Sequence, residues 1–225
     1  MASELVSVIV PVHNGASLLG RTLESVRSQT YPDLEVVVVD DGSTDHTAAI
    51  AERYGATVLS QANAGVASAR NAGVARSSGR LLAFIDHDDL WAPTKIAKQL
   101  EALDNTEDCG FVTCHLRYFF DGEVPSWFRG PTDGTPVPGF VPSTWLVRRE
   151  TFERVGGFDS TYTHGSDTDW VTRAAELGIA PTILVECLVD YRVHGGNASR
   201  DVAVFRKDLT GLLRARVRRS REAAK

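Results

Sequence analysis

Asp86, His87, Asp88 and Asp89 follow the apolar run Leu81 to Ile85, and their spacing is the strongest chemical signal in the chain. Residues i and i+2 leaving a strand project to one side, so the carboxylates of Asp86 and Asp88 are expected to face a single point, with His87 turned away. Two hard oxygen donors with open positions around them suit Mg²⁺ or Mn²⁺ held jointly with a substrate's diphosphate. An isolated acidic pair of this kind more often caps a helix or closes a turn, so the rest of the constellation decides. Calcium fits less well, because the sixth position of an EF-hand loop needs glycine and Trp91 stands there.

A second acidic turn, Asp40-Asp41-Gly42-Ser43-Thr44-Asp45, closes the Val-rich run Glu35 to Val39. Asp40 can accept hydrogen bonds from a base edge or fix its own turn. Arg70 and Asn71 lie early in an Ala-rich segment, where an arginine reaches either a phosphate oxygen or solvent. His194 sits in Tyr191-Arg192-Val193-His194-Gly195-Gly196-Asn197, a stretch whose glycines let backbone close over a ligand, and is a candidate third metal ligand or diphosphate donor. His46, His115 and His164 have no partner at metal or triad spacing. There is no GxSxG, no Walker loop and no GxGxxG in the first β-turn-α unit, so serine hydrolase, P-loop and dehydrogenase readings lose their main support.

These groups need elements to hold them. Val6 to Pro11, Glu35 to Val39, Thr57 to Leu59 and Leu81 to Ile85 read as strands, alternating with helical patterns over Leu18 to Arg27, from the 43–45 turn to about Tyr54, and over Val66 to Ser77. This order predicts an α/β fold with a mostly parallel central sheet flanked by helices, and ligands then sit at the carboxyl ends of the strands, where the acidic turns fall. After a helix over Pro93 to Leu103 the rhythm changes. Phe111 to Phe120 reads as one long strand or a pair, and Gly122 to Pro142 as a functional or disordered loop with exposed-looking Trp127, Phe128 and Phe140. Thr144 to Val147 (strand), Glu150 to Val155 (helix), Asp167 to Leu177 (helix) and Pro181 to Arg192 (one or two strands) complete the pattern.

The whole chain has 225 residues, 24 Lys and Arg against 29 Asp and Glu, 43% apolar and 24% charged residues. Such a composition excludes wholesale disorder, collagen-like repeats and a membrane bundle. A net charge of −5 argues against a dedicated nucleic-acid binder. Leu5 to Val12 is broken by Ser7 and Pro11, so it reads neither as a leader nor as a spanning helix, and a cytoplasmic location is expected. Cys109, Cys114 and Cys187 read as free thiols. From Phe205 the chain is basic, with Arg206, Lys207, Arg214, Arg216, Arg218, Arg219 and Arg221 against Asp208 and Glu222; this is either a solvated terminal helix or a peripheral contact with an anionic membrane.

The ordered set Val8-Ile9-Val10-Pro11-Val12-His13-Asn14, Val39-Asp40-Asp41-Gly42-Ser43-Thr44-Asp45, Asn63-Ala64-Gly65, Ala69-Arg70-Asn71-Ala72-Gly73, Phe84-Ile85-Asp86-His87-Asp88-Asp89, Pro93-Thr94-Lys95, Gly156-Gly157-Phe158-Asp159, Asp167 to Arg173, and Tyr191-Arg192 with His194 resembles the family 2 glycosyltransferases, inverting enzymes of the GT-A fold. The resemblance runs from residue 5 to about residue 199. It implies a metal-dependent transfer from a nucleotide diphosphate sugar, expected to be a UDP-sugar, to a hydroxyl-bearing acceptor, with Mn²⁺ or Mg²⁺ as cofactor. Under it, residues 1–200 form one domain, with a nucleotide half to 105 and an acceptor half from 106, and 201–225 form a basic helical tail.

Pro11, His13, Asn14, Asp40, Asp41, Arg70, Asp86 and His87 are then the candidate nucleotide contacts. Asp88, Asp86 and His194 are the candidate metal ligands, and Trp127, Trp145, Gly157 and Arg192 the candidate sugar and acceptor contacts. Asp167 is the preferred catalytic base, with Asp169 its rival; Ser166 stands where an acidic residue is common, and His13 where an aromatic is frequent. Two other readings remain open: a sugar nucleotidyltransferase, which lacks its early Gly-rich basic loop here, and a non-catalytic sugar-nucleotide or partner-binding module.

Overall fold

The computed structural model describes residues 4–106, 109–195, 197 and 202–223. In chain order the first half contains β1 (Val6–Val12), α1 (Leu19–Arg27), β2 (Leu34–Asp40), α2 (Thr47–Arg53), β3 (Thr57–Ser60), α3 (Val66–Arg76), β4 (Leu81–Phe84), β5 (Leu90–Trp91) and α4 (Lys95–Asn105). The second half contains β6 (Phe111–Phe120), β7 (Val137–Pro138), a 3-10 turn at Pro142–Thr144, β8 (Leu146–Arg148), α5 (Arg149–Val155), α6 (Ser166–Glu176), β9 (Thr182–Val193) and α7 (Val202–Ala223). The boundary expected after residue 200, Gly196, and the side chains of Arg206 and Glu222 lie outside the described residues.

All the main strands join one sheet in the order β3-β2-β1-β4-β8-β6-β9-β5, with β7 paired to β6. The expected parallel arrangement holds for β3, β2, β1 and β4. Beyond β4 the sheet is mixed: β8 runs antiparallel to both β4 and β6, β5 is antiparallel to β9, and β6 and β9 are parallel. The cause is connectivity. A parallel neighbour needs a crossover helix, and between β6 and β8 the chain offers only a loop, the two residues of β7 and a 3-10 turn. Phe111 to Phe120 is one long strand, bulged at Cys114 and His115 against β9, and the 182–193 segment is likewise a single strand.

The unbroken hydrophobicity of the first strands follows from burial on both faces. Val6, Val8, Val10 and Val12 of β1 pack with Leu19, Leu23 and Val26 of α1 and Ile96 of α4, whereas Ile9 packs on the other side with Ala67 and Ala69 of α3 and Trp170 of α6. At about 1.5–3 kcal/mol for each buried Val, Leu or Ile side chain, these two cores supply the main stabilisation of the sheet. Helix α3 rides close to β1, as its small residues predict: a Cβ on Gly73 would lie 2.4 Å from Cγ2 of Ile9. Cys109 and Cys114 are buried free thiols and Cys187 a half-buried one. Among the described residues, no helix is long and apolar enough to cross a membrane.

Candidate functional site

The carboxyl ends of β1, β2 and β4 lead directly into the polar residues singled out in the sequence. Pro11 is buried in β1 opposite Val39. The exposed His13 ring donates from Nδ1 to the Asp41 carbonyl at 2.9 Å, which leaves Nε2 to accept from Nδ2 of Asn14 at 3.1 Å. Asn14 takes a left-handed backbone, φ 52°, and ties this turn to the next: its N–H donates to Oγ of Ser43 at 2.8 Å and its Oδ1 accepts from the Thr44 N–H at 2.8 Å. Asp40 closes β2 and accepts the Ser43 N–H at 2.8 Å, the turn-fixing role.

Asp41 corrects an expectation. Its Oδ1 accepts from Gln61 Nε2 and the Ala64 N–H, and its Oδ2 from the Gly65 N–H, each at 2.8 Å. Buried and holding three donors, it anchors the 61–65 loop that launches α3, and its burial makes it a positioning group. His87 lies in the turn beyond β4, and its ring faces Gly15, where an added Cβ would fall 2.6 Å from Cδ2.

Asp86 and Asp88 each meet a partner of their own. Asp86 Oδ1 accepts from Nη2 of Arg70 at 2.6 Å, while Asp88 Oδ2 lies 3.0 Å from Nε2 of His194. Arg70 is itself buried on α3 and faces the Phe158 ring at 5.5 Å, and its Nε is buried without an acceptor. Among the described residues, no group of three or more His, Cys, Asp or Glu side chains converges to hold a metal. The fitting donor set is Asp88 with His194, one hard oxygen and one imidazole nitrogen from segments 106 residues apart, both partly open to solvent. The carboxylate suits Mn²⁺ or Mg²⁺ with diphosphate and water in the other positions, and the imidazole nitrogen favours Mn²⁺ over the harder Mg²⁺.

Arg192 also departs from expectation. It is 1% exposed, which bars it from touching an acceptor. Its Nε donates to the Asp88 carbonyl at 2.8 Å, Nη1 to the Asp121 carboxylate, and its backbone N–H to Oδ1 of Asp89 at 3.0 Å. The other Asp89 oxygen accepts from Oγ of Ser143 at 2.6 Å. Burial, reinforced by the charges of Asp88 and Asp86, pushes the Asp89 carboxyl well above the usual range. Asp89, Ser143, Asp121 and the buried Arg192 thus brace the acidic turn, a role visible in sequence only as the fourth residue of the Asp-His-Asp-Asp run.

On the opposite wall, α6 begins at Ser166 and separates the two candidate bases. Asp167 is half-buried; burial raises its pKa, the nearby Arg70 charge pulls it down and Asp86 pushes it up again. Asp169 is 2% exposed and engaged in ion pairs, with Arg173 Nε at 2.7 Å and Arg219 Nη1 at 3.5 Å. Buried in this way, Asp169 ties α6 to α7 and offers an acceptor no open carboxylate oxygen. Arg173 also donates to the carbonyls of Val155 and Gly157, and Asn71 pairs with both the N–H and the carbonyl of Phe158, at 2.9 and 2.7 Å. Gly157 is therefore brought beside α3, with Oδ1 of Asn71 only 2.8 Å from an added Cβ.

Trp145 is fully buried and packs on Phe84, Phe111, Phe158 and Trp170; it belongs to the core and not to an acceptor site. Trp127 joins a smaller cluster in which Phe128 stands edge-on to Tyr118 and Phe120. Phe140 in the same loop is exposed.

Comparison with known proteins follows the same outline. The profile of glycosyl transferase family 2 matches residues 7–156. An uncharacterized glycosyltransferase of Nostoc sp. is 32% identical over 214 residues, covering 85% of this chain and 66% of that protein. S. aureus TarS in complex with UDP superposes with a TM-score of 0.69 at 23% identity, covering 84% of this chain and 60% of that one. The mannosyltransferase PcManGT of Pyrobaculum calidifontis, in complex with GDP-Man and Mn²⁺, superposes with a TM-score of 0.70 at 24% identity, covering 87% and 59%. At such identities the two structures establish the shared GT-A fold alone. This chain spans less than two thirds of the length of each of these proteins. With two thirds of its own length under the family profile, the chain belongs to glycosyl transferase family 2.

Proposed function

We propose that the chain is a metal-dependent inverting glycosyltransferase that moves a sugar from a nucleoside diphosphate sugar, a UDP-sugar, to a hydroxyl-bearing acceptor. The observation that carries this reading is the meeting of Asp88 and His194 at 3.0 Å beside the Arg70–Asp86 pair, at the carboxyl ends of the strands and within electrostatic reach of Asp167. When bound at Asp88 and His194, Mn²⁺ or Mg²⁺ neutralises charge developing on the departing diphosphate.

The protein's own groups do the rest. The buried, acceptor-less Nε of Arg70 is a donor for a phosphate or ribose oxygen. Asp167 accepts the proton of the attacking hydroxyl while that oxygen bonds to the anomeric carbon and the carbon–oxygen bond to the diphosphate breaks. Attack opposite the leaving group inverts the anomeric centre. The UDP and GDP-Man complexes of TarS and PcManGT, and the Mn²⁺ in the latter, support the donor class.

The test is calorimetry with UDP and GDP in the presence of Mn²⁺, followed by a screen of nucleotide sugars for metal-dependent release of free nucleotide. UDP binding that is lost on chelation and weakened at least about tenfold by Asp88→Ala is expected. Metal-independent binding sinks the metal-dependent reading, and nucleotide binding with no turnover of any donor sinks the catalytic one and leaves a binding module.

A further inference from the structure

The C-terminal helix α7 has two faces with different work. Its inner face is docked. Asp208 accepts the His164 N–H at 2.7 Å, Arg219 donates from Nε to Glu176 at 2.6 Å and reaches Asp169, and Leu212 is buried. The fit is close, since a Cβ on Gly165 would lie 3.2 Å from Cβ of Asp208 and 3.3 Å from Cδ1 of Leu212.

The outer face is apolar along its middle. Leu209, Leu213 and Val217 are 42%, 58% and 51% exposed, at four-residue steps that keep them in one stripe. The exposed cations Arg221, Arg214, Lys207 and Arg218 fall about 80–140° to one side of the stripe centre, and Arg216 about 60° to the other, at ~100° per residue. The only carboxylate between Val202 and Arg221, Asp208, is turned inward. An apolar seam bordered by cations matches a surface with anionic headgroups over hydrocarbon. A second copy of the chain fits poorly, because a symmetric face would set these cations against each other. Nucleic acid offers nothing to the exposed Leu and Val side chains.

We infer that α7 docks this protein on an anionic lipid bilayer, with Leu209, Leu213 and Val217 seated at the headgroup boundary and the flanking arginines on lipid phosphates. The inner face of the same helix pairs with α6, which carries Asp167, so the helix that meets lipid also braces the wall of the site. This inference stands independently of donor chemistry.

The experiment is co-sedimentation of the full chain with phosphatidylcholine vesicles and with vesicles containing about one third phosphatidylglycerol, at low and high salt. Two variants accompany it, Leu209→Glu/Leu213→Glu/Val217→Glu and Arg214→Glu/Arg218→Glu. Both alter exposed side chains only, and unchanged circular dichroism and melting temperature verify their folding. Binding to the phosphatidylglycerol vesicles alone is expected, weakened by salt and at least about tenfold by either variant. Failure to bind, equal binding by the triple-glutamate variant, or a wild-type dimer that this variant turns into a monomer overturns the inference. Because no donor is present, failure here leaves the proposed transfer chemistry untouched, and an inactive enzyme leaves vesicle binding untouched.

Discussion

Asp167 and Asp169 lie two residues apart on one helix, and their surroundings divide them. Folding disfavours the charge of Asp167, since burial raises its pKa despite the Arg70 charge. Asp169 is instead buried between Arg173 and Arg219. Asparagine at 167 should therefore leave the melting temperature unchanged or raised, keep nucleotide binding and lower turnover by about 10²–10⁴-fold. Asparagine at 169 should do the reverse: a loss of roughly 2–3 kcal/mol of stability, with turnover per folded molecule largely kept. Thermal melts and steady-state rates on the two variants decide the matter, and a fully active Asp167→Asn enzyme would falsify the assignment of the base. The sequence offered both acids because helical spacing places them in one turn. It could not show which of them met the arginines, since one partner lies 50 residues away in α7.

At the scale of elements, the site depends on how α3 grips the turn after α5. Asn71 reads both backbone groups of Phe158, and Gly157 leaves the room this requires. Asn71→Ala should lower stability by about 1–3 kcal/mol through the unpaired Phe158 groups. Gly157→Ala should also destabilise, by driving Asn71 off those groups. Since both changes break the same contact, the double variant should lose clearly less than the sum, and an additive result in denaturant titrations refutes the coupling.

The strand–helix alternation of the first half was legible because both faces of the parallel strands are buried, which writes a continuous Val-rich signal. The acidic turns were legible as strand ends. Other elements were not so plain: β5 and β7 are two-residue strands set by long-range pairing, and local pattern carries no trace of them. Trp145 was misassigned for the same reason, because an aromatic in a Pro- and Ser-rich stretch does not announce that four other rings enclose it. Arg192 reads as a sugar or acceptor contact, since nothing in its neighbourhood in sequence reveals the distant carboxylate Asp121 that it meets.

The two halves of the molecule meet over a buried lysine. Lys95, at the start of α4, is fully buried; its Nζ donates to Gln99 Oε1 at 2.7 Å and to the Trp145 carbonyl at 3.2 Å, and lies 4.1 Å from the centre of the Trp91 ring. Gln99 continues the seam to the Thr144 carbonyl at 2.7 Å. No carboxylate balances the charge in these contacts, and burial lowers the Lys95 pKa from 10.5 to about 8. Between those values the native state binds fewer protons than the unfolded chain, so Lys95 makes stability rise with pH, by up to about 1.4 kcal/mol per unit. Cys114 works in the opposite sense. Burial raises its thiol from 9.0 to about 11, so above pH 9 the unfolded chain releases a proton that the native state keeps, and stability falls. The net gain should thus be confined to pH 8 to 9. Urea titrations at pH 7.5, 8.5 and 9.0 should show it in the native sequence and lose it in Lys95→Met, which keeps the length of the side chain without the charge. A native curve that is flat or falling through this range, and parallel to that of the variant, means that Lys95 keeps its proton and that the seam joining the two halves is stronger electrostatically than its neutral partners imply.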